Sequence, residues 1–297
     1  MRSTNTGACG LILLSLALCA GCNGKDEGED RPPERVTTHL EPPPNSTVEQ
    51  PEFNYEWADL ERDDQGRVDA YEKARWITER FNAAKRLLAL DVPARVQAGQ
   101  ILEQILKRDP AASTVRLMLA QLRFAEAAYW FQATDAWAFQ IDWMAVKKTR
   151  VEDGEQGPTL SKEELEEAIK QALPYVEEGN KQIRRTASSS LTHFLRYRAA
   201  RPDDEKIADY LWKLYFFLQR YQEAQEWLNY VLAEWERRDQ PREDPLYKKY
   251  LDIAETISNY LAELELAKES GKTGGPLPWR DPALRAEQRL ILSDDRR

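Results

Sequence analysis

The side chains able to do chemistry are few and unevenly placed. The three cysteines, Cys9, Cys19 and Cys22, all lie at the N-terminal end, and the two histidines, His39 and His193, stand far apart. That inventory leaves little from which to build a zinc site. If the chain is cut before Cys22, one thiol remains, and no intrachain disulfide can form even in an oxidising compartment. Ser270-Gly271-Lys272-Thr273 echoes the end of a phosphate-binding loop. Leu266 stands where that motif needs glycine, and Gly274-Gly275-Pro276 follows where it needs a helix, so the stretch reads as a linker. Glu163-Glu164 and Glu166-Glu167 read as solvated helix faces, because acid–base work needs burial. No G-x-S-x-G elbow, H-E-x-x-H helix or calcium loop occurs. The sequence predicts a protein that is not an enzyme and holds no cofactor and no metal.

What the chain offers for recognition is aromatic. One cluster comprises Tyr129, Trp130, Phe131, Trp137, Phe139 and Trp143, with Trp130, Trp137, Ile141 and Met144 at the spacing of one helical face. The other comprises Trp212, Tyr215, Phe216, Phe217, Trp227, Tyr230 and Trp235. It has more members than one face can bury, which predicts that some are exposed. Two readings stand side by side: packing between helices, or the lining of a groove for a peptide, a partner helix or a glycan. Indole suits the second because it offers a large flat surface and one N–H donor. Trp130, Trp137, Trp143, Trp212, Trp227 and Trp235 are the candidate binding residues, while His193 is expected on a surface or in packing.

These residues need elements to position them, and the pattern between Val68 and Lys268 is helical. Tyr71, Ala74, Phe81, Ala84 and Leu88 form one stripe; Ala98, Ile101, Leu102, Ile105 and Leu106 form the next. Val115, Met118, Leu119, Leu122, Ala125 and Ala128 form a third. The charged stretch 147–160 predicts a loop, and Ser161 with Glu164 predicts a capped helix start. Pro174 and Gly179 predict a kink or break. Leu246, Tyr250, Ile253, Ile257, Tyr260 and Leu264 make the most regular stripe, read as a closing helix or a pairing seam with a partner. The glycines and prolines after it mark a linker over 269–297, with Asp281-Pro282 opening a short final helix.

Two segments resemble the tetratricopeptide repeat, a helix–turn–helix unit. They are 97–110 with the stretch that follows, and more closely 208–235, where Leu211, Tyr215, Tyr221, Ala224, Leu228 and Val231 occupy family positions. Trp212 departs, because the family prefers a small residue there. The resemblance implies an all-α, irregular, tetratricopeptide-like helical repeat solenoid over 66–268.

The N-terminus has the three-part layout of a secretory signal. Arg2 supplies the charge, roughly Gly10 to Leu18 the apolar run, and Ala20-Gly21 the small residues before Cys22. The apolar run is too short for the ~20 residues that span a bilayer. Leu18-Cys19-Ala20-Gly21-Cys22 resembles the lipobox of bacterial lipoproteins, with Cys19 where the family usually has leucine. The resemblance implies a signal peptide over 1–21 and lipidation of Cys22, which anchors stably once two or more acyl chains are attached. Asn23, not aspartate, follows Cys22 and favours the outer membrane, on its periplasmic side, in a Gram-negative cell. Residues 22–65 then read as a disordered tether rich in proline and acid, with Phe53, Tyr55 and Trp57 available to dock on the first helix.

The formal charge of −9 and the mean hydropathy of −0.69 describe an acidic, water-compatible chain with no basic stripe for nucleic acid. Two functions fit. One is a membrane-anchored scaffold or adaptor of the cell envelope that binds protein partners on a helical surface. The other is a lipoprotein that binds a glycan or small ligand. An open groove favours the first, and a closed aromatic pocket favours the second. The anchoring expectation is testable alone. Cys22→Ala should leave an unprocessed or soluble protein that no longer incorporates labelled fatty acid; equal labelling of both forms would refute lipidation.

Overall fold

The computed structural model describes residues 51–53, 55–90, 92–152, 161–238 and 240–269. The signal, Cys22, the tether up to residue 50 and everything after residue 269 lie outside the described residues. Within them the fold is all-helical: α1 (Ala70–Leu88), α2 (Val92–Arg108), α3 (Ser113–Glu152), α4 (Lys162–Ala200), α5 (Ile207–Phe217), α6 (Tyr221–Arg237) and α7 (Pro245–Glu269). The Asp69 carboxylate accepts from the Tyr71 and Glu72 amides and starts α1. The Ser161–Glu164 capping box forms and starts α4. Gln219, at φ 60°, turns α5 into α6, with the Arg220 amide donating to the Tyr215 carbonyl.

Each helix packs chiefly on its neighbours in sequence, and the longest interface joins α3 to α4. That hairpin closes on small residues. Ala120, Ala127, Ala187 and Ser190 are fully buried, and the Ser190 hydroxyl donates to the Ala120 carbonyl at 2.8 Å. Gly179 lies directly against Thr134, whose hydroxyl donates to the Trp130 carbonyl. One core joins α1, α2 and the start of α3. A larger core joins α3 and α4 to α5, α6 and α7.

Several expectations need correction. Residues 147–152 continue α3 as helix. Their charges suit the end of a solvated helix as well as a loop, and only 153–160 lie outside the described residues. α4 runs unbroken through Pro174 and Gly179. Pro174 forfeits one helical bond, while Gly179 is a contact point. Tyr71 is 74% exposed, and Trp76, at 2%, takes the core position.

The tether also ends earlier than position 65. Phe53, Tyr55, Trp57 and Leu60 pack on α1 and α2. The anchor is Arg80, whose side chain is 1% exposed. Its guanidinium lies 4.2 Å from the ring centres of both Phe53 and Trp76, donates to the Tyr55 carbonyl at 2.9 Å and pairs with Glu56 at 3.1 Å.

The hairpin contact gives a stability prediction. A Cβ added at Gly179 would sit on the Thr134 hydroxyl and 3.0 Å from the Thr134 Cβ. Gly179→Ala should destabilise the mature chain by about 2 kcal/mol in urea denaturation, and adding Thr134→Ala should recover much of the loss. Equal stability of Gly179→Ala and wild type would refute the close approach.

Candidate functional site

The second half of the chain forms a cleft where the start of α5, the end of α6 and the start of α7 meet. It encloses about 260 Å³ and opens to solvent. Trp235 and Tyr230 supply one wall, Val231 and Leu246 add apolar surface, and Asp209 and Tyr250 lie at its base. Trp235 is half-buried, its ring tilted against Tyr247 at 5.8 Å and its Nε1 donating to the Pro241 carbonyl at 3.4 Å. Tyr230 is 38% exposed. Glu205 closes the rim, paired with Arg237 at 2.9 Å and with Arg238.

Asp209 fixes the base. One carboxylate oxygen accepts from Trp212 Nε1 at 2.9 Å and from the Tyr250 hydroxyl at 2.6 Å. The other faces Lys213 Nζ at 3.0 Å, and Lys213 is 4% exposed. Burial alone would raise this carboxyl's pKa; the charge of Lys213 and the bonds from Tyr250, Lys213 and Trp212 outweigh it and hold the group below its ordinary value. α5 and α7 thus meet on one ionised group.

The six candidate tryptophans separate by environment. Trp212 is fully buried and packs edge-on against Tyr250 at 5.5 Å, so its place in a binding surface is withdrawn. Its indole N–H is satisfied by Asp209. Trp227 is half-buried beneath the Arg198 guanidinium, 4.4 Å from its ring centre. Trp235 lines the cleft. Trp130 is half-buried, with Tyr129 edge-on at 5.6 Å. Trp137 stacks flat on Tyr175 at 4.7 Å, and its Nε1 is buried without a hydrogen-bond partner. Trp143 falls on α3, but its side chain lies outside the described residues. The structure therefore brings only Trp235 into the cleft and gathers Trp130 and Trp137 on the α3–α4 hairpin.

Asp209, Tyr250, Glu205 and Arg238 are cleft residues the sequence reading missed. The spacing of Asp209 to Trp212 and Lys213, three and four residues, was the available signal for one of them. The partners from α6 and α7 are too distant in sequence to read. His193 is half-buried; burial first, then Arg116 and Arg196, depress its pKa below that of a free imidazole.

No family model, no curated protein and no solved structure matches this chain. Among the described residues, no helix is long and apolar enough to cross a membrane. Among them too, no three His, Cys, Asp or Glu side chains group so as to hold a metal ion.

The Asp209 network has a pH signature. The folded carboxyl titrates below the ordinary aspartate range, so its stabilisation is complete above that range and is lost as pH falls through the lower folded value. Asp209→Asn removes the carboxylate that faces buried Lys213 and should cost about 3 kcal/mol near neutral pH. The gap to wild type in urea midpoints should shrink at strongly acid pH. A gap that is constant with pH would show that Asp209 is not the ionised partner.

Proposed function

We propose that this chain is a membrane-tethered adaptor of the cell envelope that binds protein partners and catalyses no reaction. The open cleft carried by Trp235 supports this reading best. A receptor for a small ligand would enclose it, burying most of its surface in a closed pocket. Here the Trp235 cleft stays open, and Glu205 on its rim is already paired with Arg237. Such a surface suits a protruding side chain of a partner, with half-buried Trp235 as the anchor.

In this reading Cys22 carries the lipid and holds the protein at the outer membrane, facing the periplasm. The tether from Cys22 to Pro51 allows a reach of up to about 90 Å. The helical domain is an irregular tetratricopeptide-like array. Its support is the resemblance of 208–235 to one repeat and the packing of α5 on α6, with α7 as the next helix.

The test pairs two tryptophans in the full lipidated protein, with chemical crosslinking in the envelope of the cell that makes it. Trp235→Ala should leave the melting temperature within a few degrees of wild type and abolish a specific crosslinked partner. Trp212→Ala should lower stability by about 3–5 kcal/mol. If Trp235→Ala keeps every crosslink of the wild type, the cleft is not the partner site.

A further inference from the structure

A second surface lies on the α3–α4 hairpin, away from the Trp235 cleft. Along α3, Arg116, Arg123, Trp130 and Trp137 recur every seven residues and share one side of the helix. Along α4, Tyr175, Gln182, Ser189 and Arg196 do the same. The register of the hairpin is fixed at three places: the Ser190–Ala120 hydrogen bond, the Gly179–Thr134 approach and the Trp137–Tyr175 stack. In that register the two rows face each other. Arg116 meets Arg196 at one end, and Trp137 meets Tyr175 at the other.

The ends differ in chemistry. At the first, Arg116 and Arg196 stand close enough for Arg196, after burial, to depress the Arg116 pKa. His193 adds a protonatable ring beside both. The nearby carboxylate, Glu103, is already taken by Arg123 at 2.6 Å. Arg196 is exposed. This is a local positive field on a chain of net charge −9. At the other end, Tyr175 is 44% exposed and the buried indole N–H of Trp137 lacks an acceptor.

α2 covers only the basic half. Gly99 packs on Leu122 and Arg123, and α2 begins seven residues before it, at Val92. That is about 10 Å of helix, too short to run alongside Trp137. Among the described residues, α2 therefore leaves the aromatic half uncovered on that side. From Arg116 to Trp137 the row extends about 31 Å.

We infer that this row is a second docking surface, and that it takes a polypeptide segment of a partner with carboxylates at one end and apolar side chains at the other. The carboxylates meet exposed Arg196, backed by the charge of Arg116, which is buried and donates to the Pro110 carbonyl. The apolar side chains lie against Trp130, Trp137 and Tyr175. Charge complementarity selects an acidic end, because like charges across an interface cost several kcal/mol. The polarity of the row also fixes the direction in which the segment lies.

The probe is a library of displayed random 16-residue peptides, selected on the full mature protein and counter-selected on the double variant Trp137→Ala, Arg196→Glu. Enriched peptides should carry clustered Asp or Glu at one end and apolar residues at the other. Their affinity should fall at least tenfold in either single variant, fall with added salt, and stay unchanged in Trp235→Ala. Melting curves of both single variants should match wild type, separating lost binding from lost folding. Four results would overturn the inference: no peptide enriched over the double variant, enriched peptides without acidic residues, loss of binding in Trp235→Ala, or a dimer of the chain that dissociates in Trp137→Ala. A rise in affinity on deleting residues 23–50 would assign the row to the chain's own tether and would also overturn it.

Discussion

Two helices of 40 and 39 residues lie against each other along the α3–α4 hairpin because the side chains between them are small. Ala120, Ala127, Ala187 and Ser190 let the backbones approach, and at Gly179 even a methyl group would collide with Thr134. Everything else is built on α3 in consequence. With Ala120 and Ala127 turned to α4, Leu119 and Leu122 meet α1 and α2, while Phe124 and Phe131 stack on Phe217 of α5. A helix that is apolar on three sides must have three partners. Both cores therefore take their position from the hairpin.

Apolar packing alone would tolerate sliding of one helix along another. Buried polar groups with single solutions restrict it. Arg80 has to find two rings and the Tyr55 carbonyl at once, which places the segment before α1 at one position. Asp209 has to find Trp212, Lys213 and Tyr250, which sets α7 against α5. Breaking either leaves a charge in a poorly solvated place, a heavier penalty than losing an apolar contact of similar size. The Trp235 cleft inherits its shape from the second network, because Asp209 and Tyr250 form its base.

The helical class was legible because the stripes at 98–106, 115–128 and 246–264 repeat at helical spacing. Breaks were harder to read. Pro174 and Gly179 look like punctuation in a sequence, yet one lies within α4 and the other is demanded by a neighbour forty-five residues earlier, Thr134. The docking of Phe53, Tyr55 and Trp57 on the first helix was legible, but the residue that holds them was not. Phe53 and Tyr55 sit among acids and prolines, and the arginine that holds them comes more than twenty residues later. A lone arginine on a helix resembles a surface residue until its ring partners are known. The aromatic clusters were legible as clusters, and their division was only hinted at. Trp212 stands in the apolar run LWKLYFF and Trp235 in the charged run EWERR, but the cleft beside Trp235 depends on the position of α7.

That division follows from the cost of placing an indole. A tryptophan deep in a core needs an acceptor for its N–H as well as space, and Trp212 has one in Asp209. Trp235 has a long bond to Pro241 at the edge of its cleft, and Trp137 has no acceptor. A half-buried indole held by packing against Tyr247 or Tyr175 has already lost most of its rotamer freedom. Covering it would gain apolar area without ordering the side chain anew. Surfaces so prepared bind at a lower entropic cost than flexible ones. That preparation is what the proposed partner surfaces require of Trp235 and Trp137.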